Sequence, residues 1–258
     1  MEATLPAPTD VGGGAPATLG AGADGDHRGF TYFITGASRG IGLEFARVLL
    51  KRGDSVIAAV RDPAGASKLV SLAASEQRLR IVDLDVADLD SLKTLPERHG
   101  STPVDVLINN AGMTSKSKKI ESIDGAEMAN VMMVNSIAPM LVSSALLPHL
   151  RSGSRRTIVQ ISSIMGSIAG NNTVESSYAY RASKAALNQF NRSLAAELRS
   201  DGFTCVAMHP GWVRTELGGA GGQLSVEESV ATMLRVIDAL RADQTGAFLN
   251  YDGAPIAW

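Results

Sequence analysis

The stretch "FTYFITGASRGIGLEFARVLLKRG", Phe30 to Gly53, decides the fold. Its opening is rich in β-branched and aromatic residues and reads as a strand; its second half is amphipathic at helical spacing. Between them Gly36, Gly40 and Gly42 permit a tight turn, close backbone approach to a pyrophosphate, and close packing of helix on strand. Exposed N–H groups at the helix start suit an anion. Glycine turns without a ligand are common; placement at the first strand-to-helix crossover is what makes this one a dinucleotide signal.

Outward from that unit, short β-rich runs alternate with longer helical patterns. The candidate strands are "FTYFIT", "DSVIAAV", "LRIVDLD", "VDVLINN", "RTIVQISS", "FTCVAMHP" and "GAFLNYDG". Each is apolar enough to be covered on both faces, so the expected fold is α/β: a doubly wound Rossmann-type parallel sheet of about seven strands flanked by helices. Residues 29–258 are expected to form a single Rossmann-type domain, with 1–28, rich in Gly, Ala and Pro, as a disordered N-terminal tail. That tail lacks the basic start and apolar run of a secretory signal, and the expected location is cytoplasmic.

A net charge of −2 supplies no basic field for nucleic acid or acidic membranes. The single cysteine, Cys205, excludes an intrachain disulfide. The four histidines lack close ligand spacing, and no metal is expected. The apolar stretch "MANVMMVNSIAPMLVSSALLPHL" is interrupted by Asn135, Ser136, Pro139, Ser143 and Ser144, which favours a packed helix over a membrane span. Such helices flanking a sheet also favour a homodimer or homotetramer.

The second strand runs into "AAVRDP", so Arg61 stands where a ribose-binding acid would mark NAD(H). Arg39 in the glycine turn is a second cation, and guanidinium forks match phosphate. NADP(H) is therefore expected over NAD(H), through a turn comprising Gly36, Ser38, Arg39, Gly40 and Ile41. The alternative, that both arginines only solvate the surface, stays open because Asp62 adjoins Arg61. Asp85 and Val86 after the third strand, and Asn110, Ala111 and Gly112 after the fourth, lie at the edge where such sheets bind ligands.

Tyr180 and Lys184 share a helix face one turn apart. A nearby ammonium would favour the phenolate, making the pair a proton-transfer device, although such spacing is also common in purely structural helices. Ser163, at the end of "TIVQISS", can donate to an oxygen on which charge develops. Pro139 has no N–H, so the carbonyl of Asn135 loses its helical partner; either an ordered water or a simple kink follows.

"TGASRGIG", "NNAG", Asn135, "ISS" and "YRASK", in that order, resemble the short-chain dehydrogenase/reductase family over essentially all of Phe30 to Trp258. The ending and "HPGWVRTELGG" are most similar to its Sniffer and C-factor-like carbonyl reductase branch. The resemblance implies a catalytic tetrad of Asn135, Ser163, Tyr180 and Lys184, with Lys184 also on the nicotinamide ribose. It further implies cofactor contacts at Pro210, Gly211, Val213 and Thr215. The segment from Ser163 to Tyr180 is longer than the family's pattern. "ELGGAGGQLSVEES" leaves little room for a helical lid, and its glycines imply a mobile loop and an open site. The implied activity is NADPH-dependent reduction of an aldehyde or ketone with Tyr180 as proton donor. Alternatives are an NADP-bound C-factor-like signalling or sensing protein, and NADP-dependent alcohol oxidation in the reverse direction.

Overall fold

A computed structural model describes residues 29–171 and 177–258; the expected tail, 1–28, lies outside the described residues. The strands are β1 (Thr31–Thr35), β2 (Ser55–Val60), β3 (Leu79–Asp83), β4 (Val106–Asn109), β5 (Thr157–Ile161), β6 (Thr204–His209) and β7 (Phe248–Asn250). The main helices are α1 (Gly40–Arg52), α2 (Ser67–Ser75), α3 (Leu89–Lys93), α4 (Leu95–His99), α5 (Gly125–Met132), α6 (Ala138–Ser152), α7 (Tyr178–Leu198) and α8 (Val226–Asp238). All seven strands are parallel, in the order β3-β2-β1-β4-β5-β6-β7, which is the doubly wound arrangement expected. The strand order reverses between β1 and β4, and the crevice beyond their carboxyl ends is where such sheets take ligands.

Alternation along each strand supplies two cores. Tyr32, Ile34, Val56, Ala58 and Ile108 pack with Phe45 and Leu49 of α1 and Met233 and Ile237 of α8. Phe33, Ile57, Leu107 and Ile158 pack on the opposite face with Val142 and Leu146 of α6 and Leu198 of α7. Near-continuous apolar strands are what burial on both faces requires. α1 stops at Gly53, whose φ of 98° is left-handed and whose N–H bonds back to Leu49 and Leu50. α8 begins with a capping box in which Ser225 and Glu228 each accept from the other's backbone N–H.

The apolar stretch forms one helical run, Gly125–Ser152, long and apolar enough by composition to cross a membrane; half of its most apolar window is buried inside the fold. Its ladder widens over Met133–Ile137, where the Ala138 N–H bonds to Met133 O, five residues back. Where the sequence left open an ordered water on the Asn135 carbonyl or a kink at Pro139, the helix shows a π-type widening just before the proline. Asn135 and Ser136 lie in it, fully buried.

Far from the ligand edge, buried His99 receives a hydrogen bond on Nδ1 from Arg80 at 3.0 Å and reaches Thr102 O with Nε2 at 2.7 Å. A guanidinium only donates, so Nδ1 is bare and Nε2 carries the proton. The ring of His149 packs edge-on at 4.4 Å. Burial, then His149 and Arg80, hold the His99 pKa below 6.5, with the Thr102 carbonyl opposing. Below pH 6.5 the unfolded chain therefore binds the proton first, and stability is lost as pH falls from 6.5 towards the lowered folded value. Urea titrations are expected to show a falling unfolding free energy between pH 7 and 5, and His99→Gln is expected to flatten that slope at a cost of about 1–3 kcal/mol at pH 7. An identical slope in the variant would contradict this role.

Candidate active site

The turn after β1 is held by a reciprocal clamp. Thr35 Oγ1 accepts from the N–H groups of Asn110 and Ala111, both at 3.0 Å, and Asn110 Nδ2 donates to Thr35 O at 2.9 Å and Gly36 O at 3.1 Å. The backbones come so close that a Cβ on Gly36 would lie 2.9 Å from Ala111 Cα, and one on Gly42 would lie 2.4 Å from Gly36 O. Only glycine fits either position. Arg39 stands at the N-cap of α1 but its side chain does not cap the helix, and no acid occupies the first helical turn. Those N–H groups remain available to an anion, so the cradle fits a pyrophosphate.

Thr215, after β6, reaches over this turn: a Cβ on Gly40 would be 3.5 Å from its Cγ2. Beside it Glu216 Oε2 pairs with Arg39 Nε at 3.1 Å, both side chains being largely exposed. Arg61 stands exposed just past β2, and Asp62, instead of pairing with it, accepts from Gly65 N. Asp85 Oδ1 accepts from Ala87 N, fixing the turn that follows β3, and Val86 packs at the rim of the second core. Ser38 and Ile41 are half-buried in the glycine turn. Pro210 O accepts from Ser229 Oγ at 2.6 Å, Gly211 has φ 82°, and Val213 bridges to Leu224.

The loop from Trp212 to Leu224 differs from the mobile one expected. Trp212 Nε1 donates to Gly218 O at 2.8 Å, Arg214 Nη1 to Gly222 O and Gln223 O, and Gly219 N to Thr215 O. Its glycines serve close approach rather than freedom, since a Cβ on Gly218 would lie 2.1 Å from Val213 O. Of the long segment between Ser163 and Tyr180, residues 172–176 lie outside the described residues.

Gly112, Asn135 and Lys184 converge at the sheet edge: a Cβ on Gly112 would be 3.3 Å from Asn135 Oδ1 and 3.8 Å from Lys184 Nζ. Asn135 spans the cleft wall, accepting from Met113 N and donating to Met113 O, both at 2.8 Å, and to Ser183 Oγ at 3.0 Å. Its side chain thus fixes the loop after β4 to α7. Lys184 is 4% exposed and donates to Ile161 O at 2.7 Å. Its Nζ stands 5.9 Å from the Tyr180 ring centre. Burial lowers its pKa from 10.5 to about 8.

Tyr180 departs from the expected lowering of its pKa by the Lys184 ammonium. Burial, the dominant effect, raises its pKa, and the side-chain hydrogen bond with Ser163 opposes this. Ser163 Oγ also accepts from Met165 N at 3.1 Å, which orients it. Behind them Ser162 Oγ donates to Asn188 Oδ1 at 2.6 Å. The motifs singled out Asn135 and Lys184 but not their anchors Met113 and Ile161, which act through backbone and leave no side-chain signal. Glu216 carried no motif of its own.

A site that joins an anion-ready glycine turn to a tyrosine, serine and buried lysine is that of a dinucleotide oxidoreductase. The profile of the family described as short chain dehydrogenase matches residues 31–223, and the chain belongs to that family. Within it the chain falls in the Sniffer and C-factor-like branch. It is similar to C-signal of Myxococcus xanthus, 46% identical over 156 residues, which are 60% of this chain and 93% of that one. Among solved structures it is similar to carbonyl reductase Sniffer of D. melanogaster, with 33% identity and TM-score 0.84, over 90% of this chain and all of that one. An NADPH-bound carbonyl reductase from chicken fatty liver gives 38% identity and TM-score 0.84 over the same shares.

Holding the lysine near 8 means that the folded chain disfavours its ammonium by about 3 kcal/mol. Because the folded pKa is the lower one, that cost is present in full below pH 8 and relieved between 8 and 10.5. Lys184→Met is accordingly expected to be about 1–3 kcal/mol more stable than the parent at pH 7, the advantage shrinking as pH rises to 10. A destabilised variant in urea titrations would contradict the account. Gly42→Ala is expected to lose about 1–3 kcal/mol in the same assay.

Proposed function

We propose that the protein is an NADPH-dependent reductase of aldehydes or ketones. The observation that carries this is the placement of Tyr180: a half-buried phenol hydrogen-bonded with Ser163, whose surroundings favour its neutral form, is a proton donor in waiting, which is what carbonyl reduction requires. When bound, NADPH supplies the hydride. Gly36, Ser38, Gly40 and Ile41 cradle the pyrophosphate, with Asn110, Ala111, Gly112, Pro210, Gly211, Val213 and Thr215 along the rest of the dinucleotide, and Asp85 and Val86 at the adenine end. Ser163 polarises the carbonyl oxygen, and Tyr180 hands it a proton. Lys184 holds the ribose and, when charged, favours the phenolate left behind. Asn135 keeps the wall of the site in register.

Arg39 and Arg61 are the 2′-phosphate ligands in this scheme, and Arg61 has no carboxylate partner among the described residues. The neighbour solved with NADPH supports that choice. The substrate is a small carbonyl compound, with neither nucleic acid nor membrane as partner. A single domain over 29–258, a cytoplasmic location, and a homodimer or homotetramer through exposed Ile137, Leu141 and Phe190 complete the proposal. The similarity to a protein named C-signal favours a second role, a nucleotide-bound signalling or sensing protein, which would bind NADPH without needing turnover.

Initial rates of NADPH and NADH oxidation with a panel of aldehydes, ketones, quinones and diketones test the proposal. Turnover preferring NADPH is expected, with Tyr180→Phe reducing kcat by at least about a hundredfold while NADPH binding persists. Arg39→Ala and Arg61→Ala are each expected to weaken NADPH by about tenfold and leave NADH nearly unchanged. Full activity in Tyr180→Phe would refute the mechanism; tight NADPH binding without turnover would favour the sensor.

A further inference from the structure

Next to Ser163 lies a cavity of about 360 Å³, within the range that accepts small ligands. Ile164 forms one wall; Trp212, Leu224, Tyr251 and Ile256 are the other large apolar or aromatic lining residues, and Gln223 and Asn250 are neutral polar ones. Gly211 makes the wall possible, since a Cβ there would lie 2.4 Å from Leu224 Cδ1 and 3.1 Å from Tyr251 Cδ1. Trp212 is pinned by its bond to Gly218 O, so the indole presents a fixed face. No lysine, arginine, aspartate or glutamate lines the cavity.

His209, at the carboxyl end of β6 and in register with Asn250 of β7, is the titratable lining group besides the Tyr251 phenol. Burial pushes its pKa down to about 4, so the imidazole is neutral at pH 7. Its Nδ1 is buried with no partner among the described residues. A buried N–H without an acceptor is rarer and costlier than a buried bare acceptor, which puts the single proton on Nε2. Among the described residues, no protein group engages Nε2, leaving it to donate to whatever fills the cavity.

We propose that this cavity takes the part of the substrate remote from the reacting carbonyl, and that His209 Nε2 donates a hydrogen bond to a second, accepting oxygen on it. The preferred substrates are neutral carbonyl compounds with a flat apolar body and such an oxygen. A carboxylate or phosphate would leave water for uncharged walls and is rejected. This assignment rests on the reductase function proposed above, for which His209 is a specificity-determining residue and not a participant in the chemistry.

The test compares meta- and para-methoxyacetophenone with the ethylacetophenones of the same shape, using NADPH and the wild type, His209→Leu and His209→Gln. The methoxy-to-ethyl ratio of kcat/KM is expected to fall about two- to tenfold in His209→Leu, through KM, and to recover in His209→Gln, which keeps a donor. 4-Acetylbenzoate is expected to be reduced poorly by the wild type. An unchanged ratio in a folded His209→Leu, or failure of His209→Gln to restore it, overturns the proposal. Quenching of tryptophan fluorescence by the same ketones is measured in parallel. If the wild type binds them with the predicted His209-dependent ratio but turns over none, the reductase function fails while the cavity assignment survives; if neither rates nor binding depend on His209, the cavity assignment fails on its own.

Discussion

The site depends on the reciprocal clamp between Thr35 and Asn110. Hydrogen bonds join the carboxyl ends of β1 and β4 at the point where the sheet's strand order reverses. With those ends tied, the glycine turn must pass against Ala111, and Gly36 and Gly42 are the residues that fit. The same tie places Gly112 against Asn135 and Lys184, so the glycine turn and the candidate site groups are set by one local constraint. A clamp built from neutral side chains makes these four hydrogen bonds without burying a charge.

The charged part of the site works the other way. Lys184 is buried with a single carbonyl partner and is held against its preferred charge state, while burial keeps the Tyr180 phenol neutral. The ammonium of Lys184 is the form that burial disfavours, whereas the neutral phenol of Tyr180 is the form that burial favours. Such poised titratable groups are a common mark of active sites, where stability is given up for reactivity. The apolar cavity around His209 continues the theme: a neutral imidazole with one free edge discriminates by hydrogen bonding where an ion pair would discriminate by charge.

Much of this was legible in the sequence because it is periodic or local. Seven apolar runs became seven strands, and the glycine turn fell where its spacing placed it. Strand ends were less legible. Of "VDVLINN" the strand proper covers Val106–Asn109: Asp105 still bonds to Thr31 O and Thr157 N through its backbone, but Val104 N turns to His149 O in the helix. The candidate site residues were visible, but their partners were not: Lys184 turns to a backbone oxygen, and Asn135 to the backbone of Met113. The Gly-rich loop after β6 read as mobile because composition alone does not reveal that Trp212 and Arg214 are bound to its carbonyls. Likewise the Arg39–Glu216 pair joins residues far apart in the chain.

The central claim is hydride transfer to a carbonyl at this edge of the sheet. Its most direct test is to incubate the protein with NADPH carrying deuterium on both C4 positions of the nicotinamide and a reducible ketone, then locate the label in the alcohol by mass spectrometry. The account predicts one deuterium on the carbinol carbon of each alcohol molecule. Alcohol without deuterium, or no alcohol from any carbonyl compound tried, would contradict it.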